Sequence, residues 1–295
     1  MLPFLRWAGG KRKLAGLISS CIPDSFWNSS YKFYEPFVGG GAVMLHLGNP
    51  ESGKYVEGAR LNINDMNPDL ICTYQVIQNE VEELLLKLDI LSKDLSKDKY
   101  YEIRAQQNLE GIERAARFIY LNKTGFNGLW RVNGKGHYNV PWGQLKNPTI
   151  FEAKTLRQTS QRLIDATITH TEYLTAVNSA DSGDVVYFDP PYIPLSSSSS
   201  FSQYAMADFG LNEQNQLAQT IEILKSKSVG VILSNSDTEL SREIFGNVMN
   251  LYQIDASRAI AAKASSRGSV KEIIGTTMRI SEELLPPEMT PISFC

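Results

Sequence analysis

Short apolar runs alternate with amphipathic stretches along the chain, a pattern that predicts strands interleaved with helices. A strand is predicted over 32–38, then Gly39-Gly40-Gly41 breaks it before Ala42-Val43-Met44-Leu45 can begin a helix. Leu61-Asn62-Ile63-Asn64-Asp65 alternates with period two and ends on an acid. From Pro68 to about Asn122 the period becomes helical, carried by Leu70, Ile71, Tyr74, Ile77, Val81, Leu84, Leu85 and Leu88, then by Ala115, Ala116, Ile119 and Tyr120. After Phe151 strands are predicted at 166–169, 184–188, 229–233 and 248–254, a helix at 212–224, and a final strand at 270–278.

This order predicts an α/β fold: a Rossmann-like sheet with helices on both faces, interrupted by an inserted, mainly helical domain. The sheet domain is expected to comprise 1–75 and 158–295, with the insertion at 76–157. The helical block ends in a segment rich in glycine, asparagine and aromatic residues, 125–143, where Asn133-Gly134 predicts the turn of a β-hairpin. The serine run 196–200 reads as a flexible loop or linker.

Composition narrows the class. The chain has 295 residues, of which 42% are hydrophobic and 21% charged. That is ample apolar residue for a core, which excludes disorder as its main state. No run approaches the roughly 20 apolar residues of a membrane span, and Met1-Leu2-Pro3-Phe4-Leu5-Arg6 lacks a signal-peptide pattern, so a cytoplasmic location without membrane attachment is expected. Cys21, Cys72 and Cys295 are far apart, as are His46, His137 and His170, so neither a metal site nor a Cys/His nucleophile is expected.

The net charge of −3 argues at first against a polyanionic partner, but the charge is unevenly placed. Residues 114–157 hold eight Lys/Arg against Glu152 alone, 1–13 add four basic residues, and 258–279 hold five against Glu272 alone. Those stretches carry +15, which leaves −18 for the remainder of the chain. Such asymmetry fits a polyanion-binding face on an acidic body, although charge runs are also common as solvated faces.

Two motifs carry chemistry. Phe37-Val38-Gly39-Gly40-Gly41, between a strand and a helix, suits a nucleotide cofactor because glycines let a ligand approach the backbone at a helix N-terminus. Asp65 follows at the end of the next strand, where an acid can accept both hydroxyls of a ribose. This spacing fits a nicotinamide dinucleotide and S-adenosylmethionine equally, and a plain tight turn would also explain the glycines. More specific is Val185-Val186-Tyr187-Phe188-Asp189-Pro190-Pro191-Tyr192, an apolar strand with a rigid exit. There the Asp189 carboxylate and the Pro190 carbonyl are two acceptors beside the Tyr192 ring, a set that fits a planar amine on an aromatic base.

With these motifs the chain resembles the Dam-like DNA adenine methyltransferases whose motifs run in the alpha order. The resemblance covers almost the whole chain: Trp7-Ala8-Gly9-Gly10-Lys11, Glu35-Pro36-Phe37-Val38-Gly39-Gly40-Gly41, Asn64-Asp65-Met66-Asn67, Asn127-Gly128-Leu129-Trp130-Arg131-Val132-Asn133, Asn139-Val140-Pro141-Trp142-Gly143, Asp189-Pro190-Pro191-Tyr192 and Lys263-Ala264-Ser265-Ser266-Arg267-Gly268. It implies S-adenosylmethionine as cofactor, double-stranded DNA as partner and the helical insertion as target-recognition domain. Trp7, Lys11, Phe37, Gly39, Gly41, Asp65 and Asp189 are implied at the cofactor, with Lys11 toward its methionine carboxylate and Glu172-Tyr173 framing its adenine. Asp189, Pro190 and Tyr192 are implied at the flipped-out adenine.

For DNA, Arg131 can present a bidentate fork to guanine, while Asn127 and Gln144 can pair with base edges. Arg6, Leu129 and Pro141 join the DNA-facing set by the same resemblance, and Asn133, Asn139 and Lys146 look like backbone-positioning contacts, though Asn133 and Asn139 can also simply shape turns. Trp130 and Trp142 read as packing. The hairpin favours GATC, yet Gln144 and Leu145 stand where close relatives carry Arg and Tyr, which leaves the outer bases open. The segment after Tyr192, from 196 to 204, reads as a gate over the base or as a linker, and 265–268 as a phosphate contact.

Rival readings are a methyltransferase for cytosine, RNA or a protein glutamine, a dinucleotide oxidoreductase, and a catalytically silent DNA-binding homologue. A monomer is expected, with a dimer left open, as is pairing with a restriction nuclease.

Overall fold

The computed structural model describes residues 1–48, 54–146, 148–194, 209–257, 269–280 and 285–293; the expected loop at 196–204 and the motif at 263–268 lie outside them. In chain order the elements are α1 (Ala15–Ser20), α2 (Asp24–Trp27), β1 (Phe33–Glu35), α3 (Ala42–His46), β2 (Leu61–Asn64), α4 (Pro68–Asn79), α5 (Val81–Ser92), α6 (Lys97–Ala105), α7 (Gly111–Thr124), α8 (Ala153–Leu163), β3 (Thr167–Thr169), α9 (Tyr173–Ala176), β4 (Val185–Phe188), α10 (Leu211–Ser226), β5 (Gly230–Ser236), α11 (Glu239–Gly246), β6 (Asn250–Ser257), β7 (Ser269–Thr276) and β8 (Thr290–Pro291). The protein is therefore mixed α/β, as its periodicity predicts.

The chain forms two compact units: one of Met1–Lys13, Val38–Ala59 and Asn64–Thr171, the other of Leu14–Phe37, Arg60–Ile63 and Glu172–Cys295. In the second unit the sheet order is β2-β1-β4-β5-β7-β6-β8. Strand β1 pairs in parallel with β2 and β4, and β4 in parallel with β5, with Val185 opposite Gly230 and Phe188 opposite Leu233. Strand β7 lies between β5 and β6 and is antiparallel to both. All four residues of β4 are buried, as expected for a central parallel strand read as an unbroken apolar run. Their core includes Val186 and Phe188 with Leu217, Ile221 and Leu224 of α10 and Val231 and Leu233 of β5.

In the first unit α7 packs against α4, α5 and α6. Helix α4 begins where its sequence says it should, because Pro68 needs no amide partner in the first turn. The Asn67 side chain accepts the amides of Asp69 and Leu70 at 3.0 and 3.2 Å, which caps the helix. Its buried face comprises Leu70, Ile71, Thr73, Tyr74, Val76 and Ile77.

Three boundaries differ from the periodicity. Strand β1 stops at Glu35 because Pro36 has no N–H to extend the ladder. Strand β5 runs on to Ser236, past the apolar run ending at Leu233, because Ser234, Asn235 and Ser236 are buried with their polar groups bonded. The expected hairpin forms as a short one, with antiparallel bridges Val132 to Tyr138 and Gly125 to Trp142 and backbone bonds from Asn133 to His137 and from Asn139 to Arg131, but its turn is longer than two residues. Its turn lies at 133–136, where Gly136 donates to the Asn133 carbonyl at 2.8 Å. Gly136, with φ of 76°, supplies the positive backbone angle expected of Asn133-Gly134. The Asn133 Oδ1 accepts the amides of Lys135 and His137, which closes a longer turn than a two-residue one.

Replacing Asn67 by Ala removes a side-chain cap and is expected to destabilise the protein by about 1 kcal/mol, read as a lower urea midpoint with unchanged circular dichroism below the transition.

Candidate active site

In the first unit the glycine turn is built for close approach. Gly39 has φ of 46°, and a Cβ there would lie 2.6 Å from Nε1 of Trp7, so only glycine fits. The Gly39 amide donates to Asp65 Oδ2 at 3.0 Å, and the Asn67 amide to Oδ1 at 2.9 Å. Burial pushes the Asp65 carboxyl above its ordinary value, against the lowering effect of those two amides. The Tyr74 hydroxyl donates to the Gly39 carbonyl at 2.9 Å. Gly41 is the N-cap of α3. Trp7, Gly39, Gly41 and Asp65 are thus brought together, with Tyr74 as a fifth member that the sequence pattern read only as an apolar helix position. Lys11 is buried, with Nζ 2.6 Å from the Gly9 carbonyl.

The segment 125–146 belongs to the same unit. Asn122, fully buried near the end of α7, accepts the Arg6 amide at 2.9 Å and donates to the carbonyls of Arg6 at 2.7 Å and Gly128 at 3.1 Å. One carboxamide therefore ties the N-terminal segment to the turn at Phe126–Gly128, and Gly128, φ 63°, has no room for a Cβ beside the Arg6 side chain. Asn127 and Gln144 are exposed and left-handed, with φ of 54° and 53°. The Asn139 Oδ1 accepts Arg131 Nε at 2.7 Å, and the Asn139 amide donates to the Arg131 carbonyl at 3.0 Å. Pro141 and Lys146 are exposed and Leu129 is half-buried. The ring of Trp130 packs between Phe118 and Tyr138, at centroid distances of 4.2 and 4.5 Å, and Phe118 also meets Trp7 at 6.3 Å.

In the second unit Asp189 and Pro190 follow β4 directly. Asp189 and Tyr192 are half-buried, Pro190 is buried and Pro191 exposed. The loop is clamped by side chains: Gln214 of α10 donates to the Pro191 carbonyl at 2.9 Å, the Ile193 amide donates to Asn235 Oδ1 at 3.1 Å, and the Ser236 hydroxyl donates to the Ile193 carbonyl. Asn235 also donates to Gln214 Oε1 at 3.2 Å, which joins the clamps. The Tyr192 hydroxyl donates to Glu272 Oε2 at 3.0 Å. Burial first, then the charges of Asp189 and Glu272, push the Tyr192 hydroxyl well above its ordinary pKa, so it stays protonated at neutral pH. Phe37 packs on Tyr173 at 5.4 Å, and both meet Phe188 and Phe209. Glu172 is the exposed N-cap of α9.

Sequence reasoning missed Tyr74, Asn122, Gln214, Asn235, Ser236 and Glu272. A usable signal existed for two of them, because Ser234-Asn235-Ser236 is a polar run that continues an apolar strand.

An apolar strand ending in Asp-Pro-Pro-Tyr, in a mixed sheet, invites comparison with group-transfer enzymes of the α/β class, and known proteins settle the class. Residues 7–260 match the family described as D12 class N6 adenine-specific DNA methyltransferase, and the chain belongs to that family. It is 38% identical to the Type II methyltransferase M1.LlaDCHI of Lactococcus lactis subsp. cremoris over 93% of this chain and 94% of that one. It is equally 38% identical to the Type II methyltransferase M.MjaIII of Methanocaldococcus jannaschii, over 90% and 94%, and 34% identical to the DNA adenine methylase of Haemophilus influenzae, over 92% of each. The resemblance read from the motifs is borne out, and the protein is an adenine-specific DNA methyltransferase by family. The family's members depend on S-adenosylmethionine. Among the described residues no helix is long and apolar enough to cross a membrane, and no group of three or more His, Cys, Asp or Glu could hold a metal.

Replacing Asn122 by Ala leaves the Arg6 amide and the Gly128 carbonyl without this partner in a buried setting. Destabilisation of about 2–3 kcal/mol is expected, measured as a lowered urea midpoint, with Asn122→Asp not restoring it because a buried carboxylate would face the Arg6 and Gly128 carbonyl oxygens.

Proposed function

We propose that the protein transfers the methyl group of S-adenosylmethionine to the exocyclic amine of an adenine turned out of duplex DNA, within GATC. The observation that carries this reading is the clamped loop after β4, which holds the Asp189 carboxylate and the Tyr192 ring on one rigid segment. A base stacked in a duplex keeps its amine out of reach of an enzyme pocket, so the adenine is extruded at a cost of a few kcal/mol. Stacking on Tyr192, worth about 1–3 kcal/mol per base, offsets part of that cost. The Asp189 carboxylate and the Pro190 carbonyl accept the two amine hydrogens. That draws the nitrogen lone pair out of the purine ring and stabilises the positive charge that grows on nitrogen as its bond to the methyl carbon forms and the carbon–sulfur bond breaks; the methylated nitrogen then gives up one proton to solvent.

The side chains fit the cofactor by their chemistry. S-adenosylmethionine carries a carboxylate, an ammonium group, a ribose diol and an adenine. In the first unit Lys11 offers a cation for the first and Asp65 an acid for the third, with Trp7, Gly39 and Gly41 at the glycine turn; in the second unit Asp189 offers an acid for the second, and Phe37 and Glu172-Tyr173 offer rings and an acid for the adenine. When bound, the cofactor supplies an electrophilic methyl group on a sulfonium that departs as a neutral thioether, so the step needs no metal.

Helices α5 to α7 with the segment 125–146 act as the target-recognition region. Because Asn139 occupies Arg131 Nε, the Nη edge of the guanidinium is the fork presented to a guanine. Asn127, Leu129, Pro141 and Gln144 face bases, Arg6 joins them beside Gly128, and Asn133, Asn139 and Lys146 hold the DNA backbone. The relatives include proteins named Type II methyltransferase and others named DNA adenine methylase, which supports either partnership with a restriction nuclease or solitary action.

Transfer of radiolabelled methyl from S-adenosylmethionine to duplex DNA, followed by base-resolution mapping, is expected to mark adenine in GATC. Label on cytosine, or none on DNA, would sink the reading, and label on adenine in another site would remove GATC alone. Asp189→Ala is expected to abolish transfer while the fold persists; cofactor affinity measured alongside separates lost chemistry from lost binding. Arg131→Ala is expected to lose about 1–3 kcal/mol of discrimination at one base pair with smaller loss on random duplex. Equal loss on both would contradict its role.

A further inference from the structure

Glu272 is the sole acid in the basic stretch 258–279, a position where charge alone gives it no evident purpose. The fold gives it one. Glu272 lies on β7 opposite Ser236 of β5, and the two residues grip neighbouring parts of the same loop. Ser236 holds the Ile193 carbonyl, while Glu272 takes the tip of the Tyr192 ring at 3.0 Å. With the Pro191 carbonyl and the Ile193 amide already fixed by Gln214 and Asn235, the backbone on both sides of Tyr192 is immobilised. What remains to the residue is the swing of its ring about two side-chain torsions. A hydrogen bond from a neutral phenol to a carboxylate is directional and charge-assisted, and it fixes the hydroxyl end of the ring, and so the direction of the ring's long axis, which apolar packing alone does not fix.

We propose that Glu272 is a positioning residue for adenine methylation, which fixes where the hydroxyl end of the Tyr192 ring lies and thereby the placement of the base stacked on it. This rests on the reading of Tyr192 as the stacking ring. A planar amine reacts productively only when its nitrogen is aligned with the methyl carbon, so a tilt of the platform lowers the transfer rate without loosening the cofactor.

The test measures single-turnover methyl transfer on duplex DNA, with the KM for S-adenosylmethionine and the melting temperature as companions. Glu272→Ala is expected to lower the rate about tenfold, the size of one lost hydrogen bond to a charged group, at unchanged KM for the cofactor. Glu272→Gln, whose amide oxygen still accepts from the phenol, is expected to restore most of the rate. Tyr192→Phe keeps the ring but not the hydroxyl and should fall by a similar factor, and adding Glu272→Ala to it should cost nothing further. A wild-type rate in Glu272→Ala, equal damage in Glu272→Gln, or full additivity with Tyr192→Phe would each overturn the role. Should Glu272→Ala fail to fold, the contrast between Glu272→Gln and Tyr192→Phe decides alone. Failure of the unmodified enzyme to methylate adenine would instead remove the parent reading, and the inference with it.

Discussion

Two consecutive prolines at the end of a central strand impose the constraint from which much of the second unit follows. Pro190 and Pro191 have no amide hydrogen, so the chain leaving β4 cannot continue a ladder with β5, and its remaining polar backbone groups need partners of another kind. Those partners are side chains. Gln214, Asn235 and Ser236 are all buried, a costly placement for amides and hydroxyls unless each is hydrogen-bonded. Each of them is bonded, to the loop and partly to one another. The polar end of β5 and the inward amide of α10 are thus explained by the loop they hold rather than by the sheet they belong to. In exchange the loop is held by side-chain hydrogen bonds on both sides of Tyr192.

The first unit solves a different problem, holding irregular backbone without a sheet. Segment 125–146 has only isolated bridges and a few backbone hydrogen bonds, and others of its carbonyls are taken by side chains, from helix α6 and from within the segment itself. Tyr100 donates to the Val140 carbonyl at 2.9 Å, Arg104 to the same carbonyl at 3.0 Å, and Tyr138 to the Leu129 carbonyl at 3.2 Å. A row of rings from Trp7 through Phe118 and Trp130 to Tyr138 fills the space between. Trp7 at one end of that row covers Gly39 of the glycine turn, and Tyr138 at the other lies under the segment carrying Arg131 and Asn139. Trp130 is a packing residue, as its place in the sequence suggested.

Much of the fold was legible because it rests on local rules. Period-two and helical periodicities located β1 to β7 and α10 to within a few residues and marked 68–122 as helical without dividing it into α4 to α7. Pro68 marked the start of α4, whereas the stop that Pro36 imposes on β1 was overlooked. The candidate site was legible where its chemistry is contiguous: the glycine turn and the Asp-Pro-Pro-Tyr segment are each a run of adjacent residues. It was not legible where a role is created by contact across the chain. Nothing in the neighbourhood of Asn122 announces that it will bond both Arg6, far away in the chain, and Gly128, just beyond its own helix. Tyr74 likewise obeys the helical pattern while its hydroxyl serves the glycine turn.

The sequence by itself determined the class of fold and the family and singled out the glycine turn and the Asp-Pro-Pro-Tyr segment, because periodicity, backbone restriction by glycine and proline, and contiguous motifs are properties of neighbouring residues. Only the tertiary structure decided which polar side chains serve those segments. The extension of β5 to Ser236, the bridge made by Asn122, the hold of Asn139 on Arg131 and that of Glu272 on Tyr192 depend on hydrogen bonds between residues brought together by folding. A hydrogen bond is short and directional, so its partners are set by three-dimensional distance and not by spacing along the chain.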